Sequence, residues 1–317
     1  MKLFRQIAAL TAVALTFLAL DGMIWFNFTR RYVNDASPQM QAKSVEVDRC
    51  LPFDDASAIV KLDSQTKLYG DLPVVDGAAA LFPVFSAFVD AVYPEGSVTY
   101  ADGDFAPDSA LQYTNTRGAY KAVVDGGADI VFCAGPSEEQ KAYAESRGVA
   151  LEYVPIGREA FVFLVNVDNP VNGLTTAQVR DMYAGKITDW AEVGGDRAPV
   201  DAVQRNPGSG SQTAMLAFMN GVPMRRNPLA LAGRSIGFSF RYYVEGIVEN
   251  GGVKLLALNG VYPDRQSIAD GSYPIVADFY AVFRRDDANP NVRRLIDWIL
   301  SEEGQYIIAE SGYVPLK

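Results

Sequence analysis

Glu159-Ala-Phe-Val-Phe-Leu-Val-Asn166, followed by Thr175-Thr-Ala-Gln178, decides how the chain is organised. The first stretch is an apolar, aromatic and β-branched run of strand length. The second has the threonine-to-glutamine spacing of a capping box, in which each side chain bonds the other's backbone N–H, and it opens a short helix that Gly185 ends. A strand and a capped helix in the middle of the chain begin a second block of alternation.

The first block lies upstream. Leu72 to Val75 reads as a short buried strand, and Pro83 starts a helix with Phe85, Phe88, Val89 and Val92 on one face. Val98 to Ala101 and Leu111 to Tyr113 read as extended. Arg117 to Asp125 reads as a helix with Tyr120, Val123 and Val124 on one side, stopped by Gly126-Gly127, and Ala128 to Ala134 as an apolar strand broken only by Asp129. Downstream come a helix after Ser209-Gly-Ser211, another near Tyr242 to Glu249, strands at Lys254 to Leu258 and Asp278 to Phe283, and closing helices over Asn289 to Ser301 and Glu302 to Ser311. Two successive blocks of this kind predict an α/β protein of two lobes, with helices on both faces of mostly parallel sheets. Ligands of such sheets bind beyond the carboxyl ends of the strands, where helix N-termini point.

Composition narrows the chemistry. The 317 residues contain 49% hydrophobic and 21% charged side chains, as a globular core requires, and a net charge of −10 with no basic stripe argues against nucleic acid as a partner. There is no histidine, which removes Ser-His-Asp and Cys-His catalysis and histidine-zinc sites. No acidic run has calcium-loop spacing, so no metal, cofactor or catalytic residue is assigned, and the chain is read as a binding protein and not an enzyme.

Lys2 and Arg5 precede an apolar run from Ile7 to Leu20, the pattern of an export signal. Met23 to Phe28 extends that run past Asp21 and lacks a small-x-small cleavage site, which weighs towards an uncleaved membrane anchor. Residues 1–30 are thus expected to be a signal peptide or anchor, 31–70 a tether and irregular lead-in, and the folded body to begin near Asp71. Cys50 and Cys133 could pair outside the cytoplasm, although Cys133 in its apolar run also reads as a small buried hydrophobe.

Three segments suit an anion. Arg205-Asn-Pro-Gly-Ser-Gly-Ser-Gln-Thr213 precedes an apolar helix: glycine admits close backbone approach, the first helical N–H groups are unpaired, serine hydroxyls add donors, and Arg205 supplies a fork for two oxygens. Asp76-Gly-Ala-Ala-Ala-Leu-Phe82-Pro83 joins a strand to a helix start, and Thr114-Asn-Thr116-Arg117 precedes another with Thr116 as its cap. Each alone is also what a plain capped helix looks like; together they describe a cleft.

These segments, with Ala128-Asp-Ile-Val-Phe-Cys-Ala-Gly-Pro136, Gly157-Arg-Glu-Ala-Phe-Val-Phe163, Met182-Tyr-Ala-Gly-Lys-Ile-Thr-Asp-Trp190 and Gly312-Tyr-Val-Pro-Leu316, resemble the phosphate-binding proteins of bacterial high-affinity phosphate ABC transporters. The resemblance implies a type II periplasmic-binding-protein fold with two interlobe crossovers, near Pro155 to Phe161 and Tyr273 to Tyr280, and the ligand in the cleft. It implies one lobe from 71–159 with 276–317 and a second from 160–275. Arg205, Ser209, Gly210 and Ser211 match the family's anion motif, and Thr116, Leu81 and Phe82 stand at the first-lobe ligand positions, with Leu81 where a threonine is expected. Ala134 replaces an acid that accepts the ligand's proton, leaving Asp104, Asp129 or Asp76 as substitutes. The segment before Ile236-Gly-Phe-Ser-Phe-Arg241 is short enough to lack one helix. The implied partners are inorganic phosphate or a related oxyanion, an ABC permease and its ATPase, and the membrane if the N-terminus is retained. The alternative is a membrane-anchored anion sensor or surface accessory protein on the same fold.

Overall fold

The structure is a computed structural model and describes residues 45–225, 234–244 and 252–316. The expected signal peptide or anchor, the first part of the tether and residues 245–249 of the helix near Tyr242 lie outside the described residues.

The first block runs β1 (Val75–Gly77), α1 (Phe82–Val92), β2 (Tyr100–Ala101), β3 (Asp104–Phe105), α2 (Asn115–Asp125), β4 (Ile130–Ala134) and α3 (Glu138–Ser146). The long strand β5 (Leu151–Asn166) leads to the second block: β6 (Gly173–Leu174), α4 (Thr176–Tyr183), β7 (Val200–Ala202), α5 (Gly210–Met219), β8 (Arg234–Phe240), β9 (Val253–Leu255), β10 (Ala257–Leu258) and α6 (Arg265–Ala269). Strand β11 (Val276–Arg284) returns to the first block, and α7 (Pro290–Ile299) and α8 (Glu302–Glu310) close the chain.

Local chemistry accounts for the elements that the sequence marks. Pro83 sits in the first turn of α1, whose Phe85, Phe88, Val89 and Val92 are all buried. Gly126 caps α2 at φ 83°, a left-handed backbone that suits glycine. The Thr175 and Gln178 side chains form the reciprocal capping box of α4. Helix α3 escapes the pattern because only Ala144 of it is buried; its own capping box, Ser137 with Gln140, was the available signal.

The principal sheet has the order β1-β4-β11-β5-β8-β7, with β9 also on β5. It is mixed, contrary to the mostly parallel sheets expected: β1/β4 and β7/β8 are parallel, whereas β11 is antiparallel to both β4 and β5, and β5 to β8 and β9. The reason is the return strand, which re-enters the first block against the direction of its neighbours. β5 serves both halves. Leu151 to Ala160 pair with β11, and Phe161 to Asn166 pair with β8 and β9. The two-lobed α/β architecture hangs on this strand. Between the halves Gly157 lies so close to the Phe279 ring that no side chain fits there without displacing it. The strand expected over Lys254 to Leu258 is two short ones, β9 on β5 and β10 on β6.

Residues 45–70 are irregular but are not a tether. Val45, Cys50, Ile59 and Leu68 are buried in the same core as α1 and α8. Backbone bonds secure them, as in Leu68 N–H to the Val92 carbonyl at 2.7 Å. Side chains do so as well: the Ser64 hydroxyl and the Trp298 indole N–H both donate to Glu303, the latter at 2.8 Å. The folded body therefore starts by Val45. Val45, Ile59 and Leu68 each contribute roughly 1.5–3 kcal/mol by leaving water. In the other half Phe161, Phe163, Tyr183, Phe218 and Phe238 form an aromatic core, with Phe163 and Phe218 centroids 5.3 Å apart. Both cysteines are free and buried, in separate core clusters, and burial pushes the Cys133 thiol well above its usual range.

Candidate functional site

The carboxyl ends of β1 and β4, the crossover strands and the starts of α2 and α5 enclose a cavity of about 410 Å³. Leu81, Thr116, Arg205, Ser209, Gly210 and Ser211 all line it; Phe82 does not. Phe82 is fully buried against Phe85, Phe105 and Tyr113, and its backbone N–H bonds the Ala79 carbonyl. Its assignment to the ligand is corrected accordingly. The N–H groups this loop offers belong to Ala79 and Ala80, which open a helical turn and so have no partner within it.

Helix α5 begins as the sequence pattern predicts. Ser209 is its N-cap, and its hydroxyl oxygen accepts from Gln212 N–H at 3.3 Å, which leaves the hydroxyl proton to be donated. Gln212 also accepts from the Arg205 backbone N–H at 2.9 Å and so clamps the preceding loop onto the helix. Arg205 is only 8% exposed, and its guanidinium stands 5.8 Å from the Tyr243 ring centre. Among the described residues its buried Nη1 has no hydrogen-bond partner. Burial raises the Tyr243 phenol above its usual range, and the neighbouring Arg205 opposes that shift.

Thr116 is not the cap of α2. That position is Thr114, and Thr116 lies one residue inside the helix. The Thr114 hydroxyl is turned away to Asp76, whose carboxylate also accepts Thr114 N–H at 2.8 Å and Gly77 N–H at 2.7 Å. The start of α2 is consequently left without a side-chain cap, with Asn115 and Thr116 on the cavity wall. Asp76 is buried and burial raises its carboxyl above the ordinary range, against the opposing hydrogen bonds from Thr114 and Gly77.

None of the three substitute acids lines the cavity. Asp76 is occupied behind it, Asp129 accepts Val74 N–H and faces Arg284 at 3.4 Å, and Asp104 is exposed on β3. Two carboxylates that sequence reasoning did not assign are there instead, Glu159 and Asp278, one from each crossover strand. Glu159 is 4% exposed; it accepts Ala160 N–H at 2.8 Å and Tyr242 N–H at 3.1 Å, with Arg241 Nε 3.7 Å away. Asp278 is half-buried beside Arg158. Ser239, also missed, contributes a fully buried hydroxyl with no partner among the described residues. The signal for it was the Ile236-to-Arg241 run, in which a lone serine interrupts a buried strand.

The halves of the chain meet at the cavity mouth. A Cβ placed on Gly210 would lie 3.7 Å from Ala134 Cβ and 3.8 Å from Thr116 Oγ1, and one on Gly208 would lie 3.6 Å from Arg117 Cδ. Arginine, hydroxyls and helix N-termini from both sides thus line a partly open cleft suited to an anion.

The chain is a two-lobed α/β protein with a cleft of donors between its halves. Residues 74–303 match the PBP superfamily domain, and the chain belongs to that family. It is 26% identical to Protein SphX of Synechococcus elongatus, over 77% of this chain and 84% of that one. It is 23% identical to the phosphate-binding protein PstS of Borreliella burgdorferi over 50% of this chain, a match that spans 64% of the relative's length. Among solved structures, a putative phosphate ABC transporter substrate-binding protein with bound phosphate from Clostridium perfringens superposes with a TM-score of 0.57 at 24% identity, covering 77% of this chain and 98% of that one, which supports the fold.

Proposed function

We propose that this protein is an exported solute-binding protein that captures phosphate or a similar tetrahedral oxyanion for an ABC transporter, handing it to a permease driven by an ATPase. The observation that carries the reading is Arg205, buried with an unpaired Nη1 on the wall of the cleft beside the open N-terminus of α5. A buried guanidinium nitrogen without a partner is costly unless a ligand supplies the acceptor. Ser209, Gly210 and Ser211 add donors from the second lobe, and Thr116 with the turn before Leu81 adds them from the first. The relatives called phosphate-binding proteins support the same reading.

The lobes on this reading are 71–159 with 276–317, extended back to Val45, and 160–275, with residues 1–30 acting as signal peptide or anchor. Binding is the role on this reading, since hydrogen-bond donors from both lobes converge on the cleft. The net charge of −10 does not oppose it, because charges beyond ~8 Å are screened and local donors dominate inside the cleft. Calorimetric titration with phosphate, sulfate, arsenate and molybdate tests the proposal: at least one binds to the parent and none to Arg205→Ala, whereas failure of all four refutes it.

A further inference from the structure

A free oxyanion uses little of the space. It displaces on the order of two or three waters at ~30 Å³ each, against the cavity's 410 Å³. Besides the donors and the carboxylates Glu159 and Asp278, the wall has an apolar part to which Leu81, Phe240 and Phe279 contribute.

Proton chemistry points the same way. Hydrogen phosphate near neutral pH carries a P–OH whose proton needs an acceptor once desolvated. Ala134 provides none, and at the two wall carboxylates a ligand proton would compete with the backbone N–H groups and Arg241 around Glu159, or with water and Arg158 at Asp278, which is 38% exposed. A phosphate monoester, whose last pKa is ~6, is a dianion at neutral pH with no proton to place. Two partnerless buried groups on the wall, Arg205 Nη1 and Ser239 Oγ, are both donors that suit its three equivalent oxygens.

We propose, resting on the oxyanion reading above, that the preferred ligand is a small phosphate monoester. Its tetrahedral head takes Arg205, Ser209, Ser211 and Ser239, and its organic substituent lies along Leu81, Phe240 and Phe279.

The test is calorimetry on the full chain with sodium phosphate, sodium sulfate, glycerol 3-phosphate and glucose 6-phosphate, with glycerol and glucose as controls. The expected result is that at least one ester binds tenfold or more tighter than inorganic phosphate, that the unphosphorylated alcohols do not bind, and that Arg205→Ala loses the ester at least 100-fold. Phe240→Leu, with Phe240→Ala as a second variant, should lower the ester-to-phosphate affinity ratio at least threefold. A parent that binds inorganic phosphate or sulfate within tenfold of every ester, or better, overturns the ligand assignment and leaves the oxyanion reading intact. Binding of none of the four anions overturns both.

Discussion

Gly210 and Ala134 face each other across the cleft at a distance that a single methyl group would close to 3.7 Å. One opens α5, the other ends β4, and nothing larger than these two residues separates the donors of α5 from the end of the first-lobe sheet. A carboxylate introduced here would stand beside the N–H groups that hold the anion. Ala134→Asp should therefore supply the missing proton acceptor and repel fully ionised ligands, shifting the phosphate-to-sulfate affinity ratio at least tenfold towards phosphate. Competition titration checks this; an unchanged ratio would show that the new side chain does not reach the ligand.

Arg205→Ala should weaken anion binding by about 3 kcal/mol, roughly 100-fold, because a charged two-pronged donor is lost. Arg205→Lys should lose nearly as much, since an ammonium lacks the planar fork. Titration of both variants, with circular dichroism to confirm folding, measures the effect.

Ser239→Ala should separate function from stability. Its hydroxyl is buried without a partner, an arrangement that costs ~1 kcal/mol or more in the empty protein. The alanine variant should melt at a slightly higher temperature than the parent and bind the anion about tenfold more weakly. A lower melting temperature would mean that the hydroxyl is satisfied in the empty protein.

Asp76→Ala removes the carboxylate that holds Thr114 by its N–H and hydroxyl. The unsatisfied donors should cost about 3 kcal/mol of stability. The same change releases the start of α2, so anion affinity should fall as well, although Asp76 is not on the cavity wall. Chemical denaturation and titration read the two effects separately.

Glu303 ties the lead-in to the C-terminal helices, and hydrogen bonds from Ser64 first and Trp298 next hold its carboxyl below the usual value of 4.5. A lowered carboxyl contributes stability that is present above that usual value and is lost as pH falls through the lowered one. Glu303→Gln should thus melt below the parent at pH 7, and the two curves should converge in acid. A constant gap at all pH values would assign the effect to shape and not to charge.

The parts of the site that were legible in the sequence are those built by consecutive residues. Ser209, Gly210 and Ser211 define a helix start by themselves, and Arg205 is held to it by Gln212 seven residues later. Glu159, Asp278 and Ser239 were not legible as wall residues, because strand register and not spacing sets them against the cleft. Phe82 was misassigned for a related reason: a neighbour of the cleft in sequence points into the core once α1 packs. The lead-in hid its burial because Val45, Cys50, Ile59 and Leu68 follow neither a helical nor a strand period, and only the surface they cover makes them core.

Strand β11 occupies the position between β4 and β5. During synthesis β4 and the first half of β5 emerge with a gap between them that residues 276–284 fill only when most of the chain exists. The half built on Phe161 to Asn166, β7, β8 and β9 is contiguous and meets no such delay. Folding is thereby ordered in time, with the middle of the chain able to condense first and the N-terminal half waiting for the C-terminal strand. Pairing across so long a stretch of sequence is also slow. The longest β-pairing of the fold therefore cannot form before about nine-tenths of the chain is made.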